Sequence, residues 1–80
     1  MLCKVLSPKG IEFEGDIVSF NTKTRSGEIT ILDHHHPIMT ILERGVGRVV
    51  TISGEQKAID IDSGFLEVNS QNKLTVLIQQ

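Results

Sequence analysis

Eighty residues, 39% hydrophobic and 22% charged with a net charge of −2, make one small domain with a thin core. Three Phe with no Trp or Tyr argue against a stacking platform for single-stranded nucleic acid, and the slight negative charge argues against a phosphate-backbone binder. Cys3, being the only cysteine, excludes an internal disulfide, and without a signal peptide a reducing cytoplasm is expected. No apolar run approaches the roughly 18–20 residues that span a bilayer, so a role at a membrane is expected to run through a protein partner.

Along the chain the apolar period is two almost everywhere. Residues 2–7, LCKVLS, form a strand that stops at the turn Pro8-Lys9-Gly10. Ile11 and Phe13 alternate with Glu12 and Glu14, and after Gly15 the apolar phase shifts to Val18 and Phe20, predicting a bulge or bend beside the glycine. Asn21 to Ser26 are polar and predict a loop before a short strand carrying Ile29 and Ile31. After Pro37, IMTILERG fits a short helix closed by Gly45 or an extended segment; β-branched Ile38, Thr40 and Ile41 favour the extended form. Residues 46–52 and 58–61 pair around the turn Ser53-Gly54-Glu55, and FLEV and KLTVLI follow, separated by Ser70-Gln71-Asn72. Ile78-Gln79-Gln80 reads as an end at a domain boundary. About eight to ten short strands with turns every 6–12 residues predict an all-β chain over 1–80, an antiparallel flattened barrel or β-sandwich.

Chemistry is sparse. In the stretch ILDHHHPIM an extended chain puts His34 and His36 on one face and His35 on the other, half of a zinc site. Asp33 falls on the wrong face, and no third ligand presents itself, so no metal or cofactor is expected and the stretch reads instead as a polar turn before Pro37, facing water or a partner. Cys3, at the start of a strand, reads as a small core residue rather than a nucleophile. Asp60 and Asp62 share a strand face, but paired-carboxylate chemistry needs a desolvated cleft that a thin sandwich rarely makes. Gly45-Val46-Gly47 lacks a following helix and is no phosphate loop. The residues thus favour a β module for interaction over an enzyme.

The order of motifs carries more than any single one. SGEITIL, His-Pro with apolar residues after it, L-x-x-G-V-x-R-V, GFLEV and NKLTVL resemble, across essentially the whole chain, the N-terminal β-sandwich domain of the epsilon subunit of rotary ATP synthase. In this chain the family's motifs fall on Gly27-Glu28, Ile31-Leu32, His35-His36-Pro37, Gly45-Val46, Ser63 to Val68 and Asn72 to Leu77. Only His35 matches the recurrent histidine. His36 stands where alanine is usual, and Ser63 replaces the first of two glycines before Phe65. The helical hairpin that usually follows in the family has no counterpart in these residues, so inhibition through it is not carried over.

The resemblance implies a non-catalytic subunit of the central stalk, docked on gamma and on the polar loops of the c-ring, without direct membrane contact. It implies a place at the cytoplasmic face of the bacterial inner membrane and a role in coupling ion flow to rotation. By position, Glu28, Thr30 and His35 match the c-ring side, and Ser7, Thr40, Ile41, Leu42 and Val46 match the gamma side, with Ile41 and Leu42 expected to be partly exposed. Three histidines together would make the c-ring contact pH-sensitive. The alternatives are a β-sandwich adaptor or a histidine-based metal-binding protein unrelated to ATP synthase.

Overall fold

A computed structural model describes all 80 residues. Eight strands follow one another with no helix: β1 (Leu2–Ser7), β2 (Gly10–Thr24), β3 (Gly27–Leu32), β4 (Ile38–Leu42), β5 (Gly45–Thr51), β6 (Gln56–Ile61), β7 (Ser63–Val68) and β8 (Lys73–Gln79). They form one sheet in the order β1-β8-β7-β4-β2-β5-β6, with β3 also on β2 and a β1–β2 ladder that closes the first five strands of the path into a ring. The sheet wraps a core of 15 buried hydrophobic residues. This is the expected sandwich, and the segment after Pro37 is extended.

One ladder departs from the antiparallel expectation. β1 and β8 run parallel, from Leu2 opposite Lys73 to Leu6 opposite Leu77. Parallel neighbours need a long crossover. Here the rest of the chain supplies it, so no helix is required.

The long strand β2 departs from expectation twice. Pairing runs straight through Gly15, which sits opposite Cys3. The bulges lie instead at Glu12, between the pairs Val5–Phe13 and Leu6–Ile11, and at Val18, between Ile17–Thr51 and Ser19–Val50. The second bulge resets the phase, so Ile17 and Phe20 are buried while Val18 is outside. Asn21 to Thr24 are also strand rather than loop. Thr22 and Thr24 face inward, and the Thr24 hydroxyl donates to Gly27 O at 2.7 Å and accepts from the Ser26 amide at 3.1 Å. A β-branched methyl that packs, with a hydroxyl satisfied in the adjoining turn, lets a polar segment extend a strand.

Core rows cross the strands: Ile31, Phe20 and Val49 on β3-β2-β5, and Val5, Val76 and Leu66 on β1-β8-β7. The edge strand β6 carries a charge on its inner face by register, at a position that stays exposed. Lys57 pairs with buried Val49 and sends its ammonium to Glu12 O at 3.3 Å and over the Phe13 ring at 5.8 Å. An inward lysine on an edge strand discourages pairing with another chain.

Gly64 is where β7 meets β8 most closely, because a Cβ there runs into the Leu77 carbonyl oxygen. At Gly47 a Cβ meets only side-chain ends, Ile61 Cδ1 and Phe20 Cζ, both at 3.0 Å. Ser63, by contrast, is exposed and tolerates its departure from the family's glycine pair. Gly64→Ala is expected to cost about 1–3 kcal/mol, the scale of overpacking, and Gly47→Ala less, since side chains yield more readily than backbone. Urea midpoints of the two variants measure the difference.

Candidate functional site

The residues singled out from the sequence fall on three surfaces. The first is the turn from Asp33 to Pro37, after β3. His34 adopts a left-handed φ of 60°, so the stretch is the turn expected before Pro37, and the alternation that would have put His34 and His36 on one strand face does not arise. The turn is closed by the His35 amide donating to Leu32 O at 3.1 Å. His35 Nδ1 lies 2.7 Å from His36 O, a carbonyl oxygen to which the ring can only donate. No three His, Cys, Asp or Glu side chains are grouped to hold a metal ion.

Asn72, in the β7–β8 turn and also left-handed at φ 61°, latches this turn. Its amide donates to Asp33 Oδ1 and its carbonyl oxygen accepts from the His34 backbone N–H, each at 2.7 Å. The Met1 α-ammonium lies 3.0 Å from Asp33 Oδ1, and the His34 ring is 3.5 Å from Oδ2. The Asn72 amide first, then the Met1 ammonium, hold the Asp33 carboxyl below the usual aspartate range.

The second surface is the outer face of β3, β2 and β5. Glu28 and Thr30 point outward on β3, where the Asn21 amide reaches both. His35 lies past the opposite end of β3, a strand about 17–20 Å long, so Glu28 and His35 are not neighbours. Val46 belongs to this face as well, lining a shallow depression with Asn21, Lys23, Glu28 and Arg48.

The third surface is apolar. Outward positions of five successive strands are matched in register: Ile41 on β4, Phe65 on β7, Leu77 on β8, Leu6 on β1 and Ile11 on β2. Ile41, Phe65, Leu77 and Ile11 are 38–57% exposed. The row is about 19 Å long at the spacing of neighbouring strands. Met39 stands beside it at 66% exposure. Of the five residues assigned to gamma, Ile41 alone is in the row. Ser7 ends β1 next to Leu6, with its hydroxyl donated to Glu12 at 2.7 Å. Thr40 faces Leu66 on the inner side of β4. Leu42 is 2% exposed, so its expected partial exposure is corrected: strand alternation from Ile41 sends it into the core.

The remaining candidates are accounted for simply. Burial pushes the Cys3 thiol up to about 12, which leaves no thiolate nucleophile. Asp60 and Asp62 are exposed, Asp62 lying 3.5 Å from Arg44. Phe65, Leu77, Leu6 and Ile11 were missed by sequence reasoning. The available signal was apolar residues at both parities in GFLEV and KLTVLI, the mark of a strand covered on both faces.

With this geometry in view, the family is identified by comparison. The profile described as "ATP synthase, Delta/Epsilon chain, beta-sandwich domain" matches residues 1–80, and the chain belongs to that family. The ATP synthase epsilon chain of Psychrobacter arcticus is 36% identical over 75 residues, 94% of this chain and 54% of that protein. That of Aquifex aeolicus is 33% identical over 78 residues, 96% and 56% respectively. The chain thus spans about half the length of the curated relatives it matches. In structure it resembles a chain of the Euglena gracilis mitochondrial ATP synthase OSCP/F1/c-ring assembly, with a TM-score of 0.90 at 18% identity over 98% of this chain and 49% of the other. A chain of the Tetrahymena thermophila central stalk/c-ring gives 0.84 at 16% identity, covering 100% and 63%. These likenesses establish the fold.

The Asp33 latch has a pH signature. Its carboxyl is depressed in the folded state, so the unfolded chain binds more protons through the acid range. The latch's contribution is complete above the unfolded aspartate value of about 3.9 and is lost as pH falls through the lower folded value. Wild-type protein is expected to lose stability below about pH 4 more steeply than Asp33→Asn, read as urea midpoints between about pH 6 and pH 2.

Proposed function

We propose that this domain is a non-catalytic rotor element of an ATP synthase, docking on the gamma subunit and on the polar loops of the c-ring and coupling ion-driven rotation to ATP synthesis. It acts at the cytoplasmic face of the bacterial inner membrane and meets the membrane only through the complex. Family membership supports this reading, and the observation that carries it is the apolar row from Ile41 to Ile11, a surface suited to permanent cover by another subunit. Stiffness supports it too. A closed sheet held by 39 backbone hydrogen bonds between its strands passes torque with little deformation.

In this reading gamma covers the row, with Ser7 at its border, and Thr40 and Leu42, on the inner side of β4, support Ile41 from beneath rather than touching gamma. Glu28 and Thr30 offer polar contacts to the c-ring, and the latched turn carrying His35 extends that contact past the end of β3. Val46 groups with the Glu28 surface by position.

Ile41→Glu and Leu77→Glu are each expected to weaken gamma binding by at least about 30-fold, the loss of a central interface anchor, while Val46→Glu spares it. Leu42→Ala is expected to lower stability by about 2–5 kcal/mol through a core cavity. Calorimetric titration with gamma, alongside urea unfolding, separates these effects. A wild-type chain that does not bind gamma would sink the proposal.

A further inference from the structure

We infer that Asn21 is a positioning residue for the c-ring contact, its side-chain amide setting Glu28 and Thr30 as one preformed pair. The inference rests on the reading of Glu28 and Thr30 proposed above.

Asn21 occupies the middle of the outer face, with Thr30 opposite it on β3 and Arg48 opposite it on β5. Its strand is therefore hydrogen-bonded along both edges, which fixes the backbone from which the amide projects. The amide has two hydrogens. Its nitrogen lies 2.9 Å from Glu28 Oε2 and 2.9 Å from Thr30 Oγ1, with Ile29 O a longer third neighbour at 3.3 Å. Both hydrogens are thus committed to the two side chains assigned to the c-ring.

This sets the chemistry offered outward. Thr30, having accepted from Asn21, keeps its own O–H to donate. Glu28 keeps Oε1 and the remaining lone pairs of Oε2. Lys23 faces Glu28 in register, yet no ion pair forms between them, and Arg48 makes none with Glu28 either. The Glu28 charge is left uncompensated but held in place. The matching partner is a polar loop that presents a cationic side chain to Glu28 and a carbonyl to Thr30. A flexible Glu and Thr on an edge strand would lose side-chain freedom on contact; Asn21 fixes them beforehand and so removes part of that cost.

The rival account is that Asn21 merely fastens β3 to β2. A mutant cycle in the assembled ATP synthase separates the two. The readout is ATP-driven ion pumping per ATP hydrolysed in inverted membrane vesicles. Asn21→Ala is expected to lower this ratio toward that of Glu28→Ala/Thr30→Ala, and to lower it no further when added to that double variant. A reduction of equal size in both backgrounds assigns Asn21 a structural role and overturns the inference. A normal ratio for Asn21→Ala beside a reduced one for Glu28→Ala/Thr30→Ala overturns the inference but leaves the c-ring reading standing. Normal ratios throughout overturn both. Should Asn21→Ala fail to assemble, Asn21→Thr, which favours a strand but lacks the amide, takes its place in the same cycle.

Discussion

The whole architecture depends on β2 being long and bent at two places. Its first half pairs with β1 and its second half with β3 and β5, and Thr24 touches β4 at Leu42. A straight 15-residue strand would hold one set of faces throughout. The bulges at Glu12 and Val18 break that regularity and let one strand belong to both halves of the sandwich. The bulge at Val18 also decides which residues of β2 meet the core and which, like Asn21, meet solvent or a partner. The Glu12 bulge has its own anchor, since its carbonyl receives Lys57 from the far edge strand.

That bend separates two docking chemistries on a very small body. On one side, outward apolar residues of five strands line up into a continuous ridge, flanked by the polar row Glu67, Thr75, Lys4 and Glu14. On the other, Asn21, Glu28, Thr30 and Arg48 make a hydrogen-bonded polar surface. Asp33, Asn72 and the histidines close the end beyond β3. The place proposed above, between gamma and the polar loops of the c-ring, calls for such a division, with apolar contact on one face and charge-assisted contact on the other.

Much of this was legible beforehand, for identifiable reasons. Turn residues at Pro8-Lys9, Ser53-Gly54 and Gln71-Asn72 and the alternating Leu74, Val76 and Ile78 placed most strands. Asn21 to Thr24 were misread because four polar residues carry no apolar alternation. Their strand character comes from threonine methyls packed inside and from pairing with strands on both sides, which is tertiary information. The turn at the histidines was legible from Pro37, but the left-handed His34 within it was not, because such a residue outside glycine leaves no trace in residue type. Leu42 was misplaced because assignment by family position ignored the parity it shares with its neighbour Ile41. The apolar ridge was hidden for the deepest reason. It is a property of register across β4, β7, β8, β1 and β2, whose members are dispersed through the chain.

The parallel β1–β8 ladder has a consequence for biosynthesis. Strand β1 is completed only by β8, so Cys3 and Val5 cannot find Leu74 and Val76 until residues 73–77 have left the ribosome. Few local pairings can stand in for that closure, so the domain cannot finish folding before β8 has been made, and its contact order is high. Until then the ridge and half of the core are exposed together, and the inward Lys57 on the free edge is the feature best placed to keep the nascent chain from pairing with its neighbours.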